Sequence, residues 1–299
     1  MNKKYELTDE TSVIAGCTVH RIRALVPIGD VAAGELGGWI EAEKNLSVTG
    51  KAWVFGDAWV TGKALVSGNA RVSGDALVYG DAQVSGDALV SGDARVSGDA
   101  RVSGNALVCE DVRVSGDAQV YGNARVYGKA RVYEDALVYE DAQVFGDAQV
   151  FGDAWVYGDA LVSGDARVSG DAQVCENARV SGDALVYGNA RVSGDARVYG
   201  DARVYGKAWV YEDARVSGNA RVSGDVWVSA TPIVITFGNG YICTLHPSIS
   251  VMMIGCEQHT VAEWQAFSDA EIVAMDGEAA LKLWRGYKAA LLALMGVVS

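Results

Sequence analysis

Histidine is scarce in this chain: His20, His246 and His259 are the only three among 299 residues, and none lies between Lys51 and Ser229. The middle of the chain therefore lacks the side chain that most often acts as a general acid or base near neutral pH. Long apolar runs are also absent. No stretch reaches the roughly 20 residues that a membrane-spanning helix needs, and no secretory leader opens the sequence, so the expectation is a chain without a membrane partner. Five cysteines, an odd number without disulfide-like spacing in the body, fit a reducing, cytoplasmic location. Positive charge is in deficit: 25 Lys and Arg against 38 Asp and Glu leave a net charge of -13, which argues against a nucleic-acid partner.

What fills the chain instead is a repeat. Every sixth residue from Val48 to Val228 is Val, thirty-one in succession with no insertion or deletion. The unit reads Val, Ser or Tyr, Gly, Asp, Ala, then Arg, Leu, Gln or Trp, as in Val84-Ser85-Gly86-Asp87-Ala88-Leu89. Period-two alternation places Ala and Val on one side of a short strand and the variable and Ser/Tyr positions on the other. Gly-Asp then turns the chain, because Gly takes backbone angles other residues resist and Asp bonds its own backbone. Three such units make a triangular coil of eighteen residues. With coils about 4.8 Å apart, the region predicts about ten coils and a rod roughly 48 Å long.

An aliphatic residue followed four positions later by a small one resembles the left-handed parallel β-helix of the hexapeptide-repeat proteins. The match covers residues 48 to 228 and is specific for fold, not for function. The stretch His20-Arg21-Ile22-Arg23-Ala24-Leu25 with Gly37-Gly38-Trp39-Ile40-Glu41 resembles the opening of uncharacterised bacterial and phage hexapeptide-repeat proteins, some labelled acetyltransferase-like by analogy. That resemblance implies a phage or prophage origin but no established activity. Acyltransferases of this fold use a His from a coil as base and usually a loop extruded from the helix. Here the coils supply neither, and acyl transfer stands as the alternative reading.

The fold expectation is thus mainly β: a left-handed parallel β-helix (48–229), an N-terminal β cap (1–47) and a small C-terminal α+β domain (230–299). In the cap, Thr18 to Val26 reads as a strand with Ile22, Ala24 and Val26 on one side and Arg21 and Arg23 on the other, and Trp53 and Trp59 are its expected packing partners. After Ser229, Ile233–Phe237 and Tyr241–Leu245 flank Gly238-Asn239-Gly240 as a hairpin, and Ile249 to Ile254 reads as a third strand. Thr260 with Glu263 and Ser268 with Glu271 are capping boxes that open helices. In the last helix Ala280, Leu283, Trp284, Tyr287, Leu291 and Leu294 form one apolar stripe.

Positions eighteen apart share a face, so the outer surface can be sorted by arithmetic. One face carries Leu65, Gln83, Arg101, Gln119, Leu137, Trp155, Gln173, Arg191, Trp209 and Trp227. The second carries Arg71, Arg125, Arg179, Arg197 and Arg215, and the third Arg95, Arg113, Arg131, Arg167, Arg203 and Arg221. The corner position after Gly is Asp in twenty of thirty units, Asn in six and Lys in four. Stacked carboxylates repel, and the Arg columns are their expected compensation. Acidic columns also raise DNA mimicry as an inhibitor reading, which thirteen Arg in the same region dilute. Calcium ladders require a Gly-Gly-x-Gly-x-Asp spacing that is absent.

Two candidate sites remain. Tyr121, Leu137, Tyr139, Trp155 and Tyr157 gather on the face with least charge, either as an interaction surface or as rings that stack between coils. Cys243-x-x-His246 and Cys256-x-x-His259 have zinc-like pair spacing and are a candidate structural metal site, against the reading of Cys256 as an ordinary buried Cys and His259 as a helix-start residue. No other cofactor and no catalytic residue is expected. The functional expectation is a non-enzymatic scaffold or protein-binding platform, acting on a partner protein or on its own copies through the low-charge aromatic face.

Overall fold

In the computed structural model, which describes residues 3–14, 16–237 and 241–296, the hexapeptides form thirty two-residue strands, β4 (Trp53–Val54) through β33 (Trp227–Val228). Each pairs in parallel with the strand eighteen residues away, as Leu137 with Trp155 and Val138 with Val156. The three resulting faces hold ten of these strands each, in the grouping that the eighteen-residue spacing predicts. The strands are shorter than the four residues expected, yet the hydrogen bonding spans the whole Ala-to-Tyr segment. Leu137 N–H donates to Ala154 O at 2.9 Å and Tyr139 N–H to Val156 O at 3.0 Å.

The alternation decides what is buried. Every Val from Val54 to Val222 is fully buried, as is the small residue two positions before it, including Val112 where a Val replaces the usual Ala. Burying a Val contributes about 1.5–3 kcal/mol. Because each coil packs only on its two neighbours, that stability is distributed along a line.

The corners hold a device that the repeat formula hides. Gly occupies the left-handed position in most units, but Glu110, Glu134, Glu140, Glu176 and Glu212 sit there with φ between 55 and 66°. In four of the five, the carboxylate accepts the backbone N–H of the Gly eighteen residues on: Glu110 from Gly128, Glu134 from Gly152, Glu140 from Gly158 and Glu176 from Gly194, at 2.6–2.8 Å. Each Glu has Gly in the same column of the coil before it. The corners stack tightly whichever residue follows: a Cβ on Gly122 would lie 2.8 Å from the Glu140 nitrogen, and one on Gly104 2.9 Å from the Gly122 nitrogen.

Both ends of the rod are closed by hydrogen-bond accounting. The N-terminal segment forms β1 (Tyr5–Ile14), β2 (Cys17–Ala24) and β3 (Leu36–Ile40), which extend the face of β5 to a thirteen-stranded sheet. Trp39–Ile40 pairs in parallel with Trp59–Val60 and Leu46 bridges Val66, so this segment adds part of a further coil to the ten expected of the repeat region and the solenoid has about eleven turns. Carbonyls of the first full coil find partners here. Trp39 N–H reaches Ala58 O, Asn45 Nδ2 reaches Ala64 O at 2.8 Å, and the buried Lys4 Nζ reaches Ala52 O at 2.6 Å. Trp53 is buried against the edge of Tyr5, with ring centroids 6.3 Å apart. Val26 is exposed rather than sharing the face of Ile22 and Ala24.

At the far end, β34 (Ile233–Thr236), β35 (Ile242–His246), β36 (Val251–Ile254) and β37 (Glu257–Thr260) form an antiparallel sheet. β37 is a fourth strand beyond the three expected, and the turn Gly238-Asn239-Gly240 lies outside the described residues. This sheet meets the last coil through Arg221 N–H to Thr244 Oγ1 at 3.1 Å and Ser223 Oγ to Gln258 Oε1 at 3.0 Å. Both capping boxes are present, opening α1 (Val261–Ala266) and α2 (Asp269–Leu294), the latter broken at Asp276-Gly277. On α2 the stripe buries Ala280, Leu283, Trp284 and Leu291, while Tyr287 and Leu294 are exposed.

Candidate interaction face

Strands β6 (Leu65–Val66), β9 (Gln83–Val84) and so on to β33 build the low-charge face. Within it the five residues singled out above come together across three consecutive coils, but they divide into two kinds. Tyr121, Tyr139 and Tyr157 form a continuous stack, centroids 5.0 Å apart and planes within 4° of parallel, which half-buries them. Burial, reinforced by the neighbouring Tyr121 and Tyr157, pushes the Tyr139 phenol up to about 12. The same stacking recurs elsewhere, in Tyr127 on Phe145, Tyr133 on Phe151 and Tyr187 on Tyr205. It is therefore a coil-to-coil contact of the solenoid and does not distinguish this face. Trp155 does: it is 41% exposed, with Leu137 beneath it in the ladder and Gln173 above.

A second aromatic group, which sequence reasoning placed on this face without singling out, lies toward its C-terminal end. Trp209 packs on Tyr211 and Trp227 with centroids 5.0 and 5.3 Å away, donates from Nε1 to Ser193 Oγ at 2.8 Å, and lies under the Arg191 guanidinium. Trp227 is 58% exposed. The eighteen-residue spacing of Arg191, Trp209 and Trp227 was the available signal.

The charges do not pair as expected. Among the described residues, the one coil Arg within salt-bridge distance of a carboxylate is Arg71, on Asp30 of the N-terminal segment at 3.2 Å. The Arg columns thus compensate the corner Asp at a distance rather than by contact. Corners are relieved more locally: Asn69 donates to Asp87, Asn105 to Asn123 and Asn123 to Asp141, at 2.9–3.1 Å, and Lys63 meets Asp81 at 3.2 Å. A surface groove of about 480 Å³ runs along a different face, between Asp93, Arg95, Asp111, Arg113 and Lys129, away from Trp155.

The four residues with zinc-like spacing are not brought together. Cys243 and His246 stand three apart on one strand, which puts them on opposite faces of the sheet. Cys243 is buried with the apolar residues beneath α1 and α2, and burial pushes its thiol up to about 12. His246 shares the face of Thr244, toward the last coil. Cys256 is exposed in the turn after β36, contrary to the reading of it as a buried Cys, and His259 packs edge-on to Trp264 and Phe267. Among the described residues, no group of three or more His, Cys, Asp or Glu is placed to hold a metal ion. His20 is equally isolated, with Nδ1 3.4 Å from Thr8 O.

The YdcK Beta solenoid repeat family matches residues 64–80, 82–98, 94–110, 118–134, 154–170, 160–176, 172–188, 178–194, 196–212 and 214–230. No curated protein matches the sequence. Among solved structures, the chain is similar to Francisella novicida UDP-N-acetylglucosamine acyltransferase, with 12% identity and a TM-score of 0.36 over 49% of this chain and 58% of that one. It is also similar to UDP-N-acetylglucosamine O-acyltransferase from Moraxella catarrhalis, with 12% identity and a TM-score of 0.34 over 76% of this chain and 93% of that one. This chain thus spans less than two thirds of the Francisella protein's length. None of the matches bears on a phage origin.

Proposed function

We propose that this chain, a β-solenoid repeat protein, is a rigid non-enzymatic rod that presents its low-charge face to a protein partner. The observation that carries the reading is Trp155, 41% exposed and held outward by a ladder whose backbone groups are bonded above and below. A large aromatic side chain on a flat, preorganised surface loses little conformational freedom on binding and buries much apolar area. Leu137 and the outer edges of the Tyr stack extend that area along the rod.

Trp155→Arg tests it. Trp155 is exposed, so the coil survives the change, and the variant is expected to lose proteins that the parent captures while Arg131→Ala on another face keeps them. Equal capture by all three proteins sinks the reading. Light scattering on the same variants tests whether the bound partner is a second copy.

Acyl transfer lacks support at this chain's own residues. The coils have no His, His246 is buried, and His259 packs edge-on against the Trp264 and Phe267 rings. The expected result is no turnover of acyl-CoA or acyl-carrier thioesters. Turnover abolished by substituting any one of the three histidines reverses this expectation.

A further inference from the structure

The edges of the low-charge face are both acidic, but they differ in how the residues at the corner position follow one another from coil to coil. On the edge beyond the Tyr stack the corners mix Asn and Asp, as Asn123, Asp141, Asp159 and Asn177, and there Glu140 accepts from Gly158 N–H, Glu176 from Gly194 N–H, and Asp141 from Asn123. On the opposite edge, immediately before the column of Gln119, Leu137, Trp155 and Gln173, Asp99, Asp117, Asp135, Asp153 and Asp171 follow one another at successive coils. Asp117, Asp135, Asp153 and Asp171 are exposed, and among the described residues no cation lies within 4.0 Å of any of the five. Five like charges about 4.8 Å apart repel one another. The face beside them offers no Arg between Arg101 and Arg191, and Arg191 is engaged over Trp209.

We infer that the occupant of this face is a basic amphipathic helix of a partner protein, lying along the rod with an apolar stripe over Leu137 and Trp155 and a flank of Lys or Arg along the free Asp column. The inference rests on the reading of the low-charge face as a docking surface and adds the chemistry of what docks. Charge sign argues against a second copy, which would bring the same carboxylates and a net charge of -13. Pitch selects the helix. Its flank residues recur about every 5.4 Å, against about 4.8 Å for the coils, so long flexible side chains stay in register over three turns with a drift of about 2 Å. Same-side residues of an extended strand recur at about 6.7 Å and drift by about 2 Å at every step. The unbroken Asp column lies on one side only, so the helix needs its basic flank on one side only.

The probe is an 18-residue capped peptide of Leu, Ala and Lys, with Leu on one stripe and Lys at i, i+4, i+7 and i+11 along one flank of it. Binding is measured by calorimetry on the full chain. The parent is expected to bind it. Affinity should fall about tenfold in the triple variant Asp117→Asn, Asp135→Asn, Asp153→Asn, and by a similar factor in Trp155→Arg. The triple variant Asp147→Asn, Asp165→Asn, Asp183→Asn, at a different corner, should bind like the parent, and a peptide of scrambled order should bind at least tenfold more weakly. Equal loss in the two triple variants overturns the inference, because it reduces binding to attraction between an acidic rod and any polycation. Loss in Trp155→Arg alone overturns it while leaving the face as a docking surface for a partner of other chemistry. Absence of binding by the parent also overturns it, and the capture experiment with Trp155→Arg then decides the docking surface separately.

Discussion

Val138→Asp is expected to split the rod into two separately unfolding parts. Val138 is fully buried between Val120 and Val156 in its column, in a core composed of Val and Ala. A carboxylate there meets no donor, and an uncompensated buried charge costs about 3–5 kcal/mol. Rotating the strand to expose it is closed off, because a slip by one residue would turn Leu137 and Tyr139 inward. In a compact domain such a cost spreads over the whole core. In a solenoid it falls on one coil and its two interfaces, so the coils on either side lose their coupling while keeping their own contacts. Denaturant unfolding should therefore change from one transition to two, and limited proteolysis should cut near residue 138. The parent resists such cutting, and Val138→Ile, which keeps the site apolar, should behave far more like it. A single transition shifted by less than about 1 kcal/mol would refute this picture of nearest-neighbour stability.

How much of this was legible in the sequence depends on how local the determining contacts are. The body was legible because burial there repeats every two residues and neighbours every eighteen, so Val138 and Trp155 could be placed inside and outside by counting. The coil ends were not. Lys4 closes on Ala52 O 48 residues away and Asn45 on Ala64 O 19 residues away, both from non-repeating chain, and nothing in the local pattern of Lys4 announces a buried ammonium. The corner Glu residues were visible as departures from Gly, yet their partners are backbone amides, which a sequence does not mark. The Cys-x-x-His pairs misled for a geometric reason. That spacing brings ligands together at a turn, whereas Cys243 and His246 lie within a strand, where an interval of three reverses the face. For the aromatic group, counting brought the five residues together correctly but did not separate Trp155, which faces solvent, from the three Tyr, which face each other.

His246 makes the attachment of the C-terminal sheet sensitive to acid. Its imidazole is buried between β35 and the last coil, and burial drives its pKa from 6.5 down to about 4, against a smaller opposing effect of the Arg221 backbone. Neither ring nitrogen makes a hydrogen bond of good geometry. Well above pH 6.5 the ring is neutral both folded and unfolded and contributes no pH dependence. As pH falls from 6.5 toward 4, the unfolded chain takes up a proton that the folded chain refuses, so stability declines through that window and levels off below it. A shift of this size corresponds to about 3 kcal/mol. Arg221, whose backbone N–H is held by Thr244 on the same face of β35, reaches His246 through its backbone and gives the imidazolium no counter-ion. The loss should be confined to the end of the rod, because coils distant from His246 have no histidine. Amide exchange of β35 and β36 should accelerate between pH 6.5 and pH 4.5 while that of β10 (Leu89–Val90) through β20 (Gln149–Val150) changes only as the intrinsic rate does. His246→Leu, which fills the same apolar space without a titratable group, should abolish the acceleration and stabilise the sheet at pH 5. If that variant keeps the parent's pH profile, the acid sensitivity belongs to the carboxylates and His246 is a spectator.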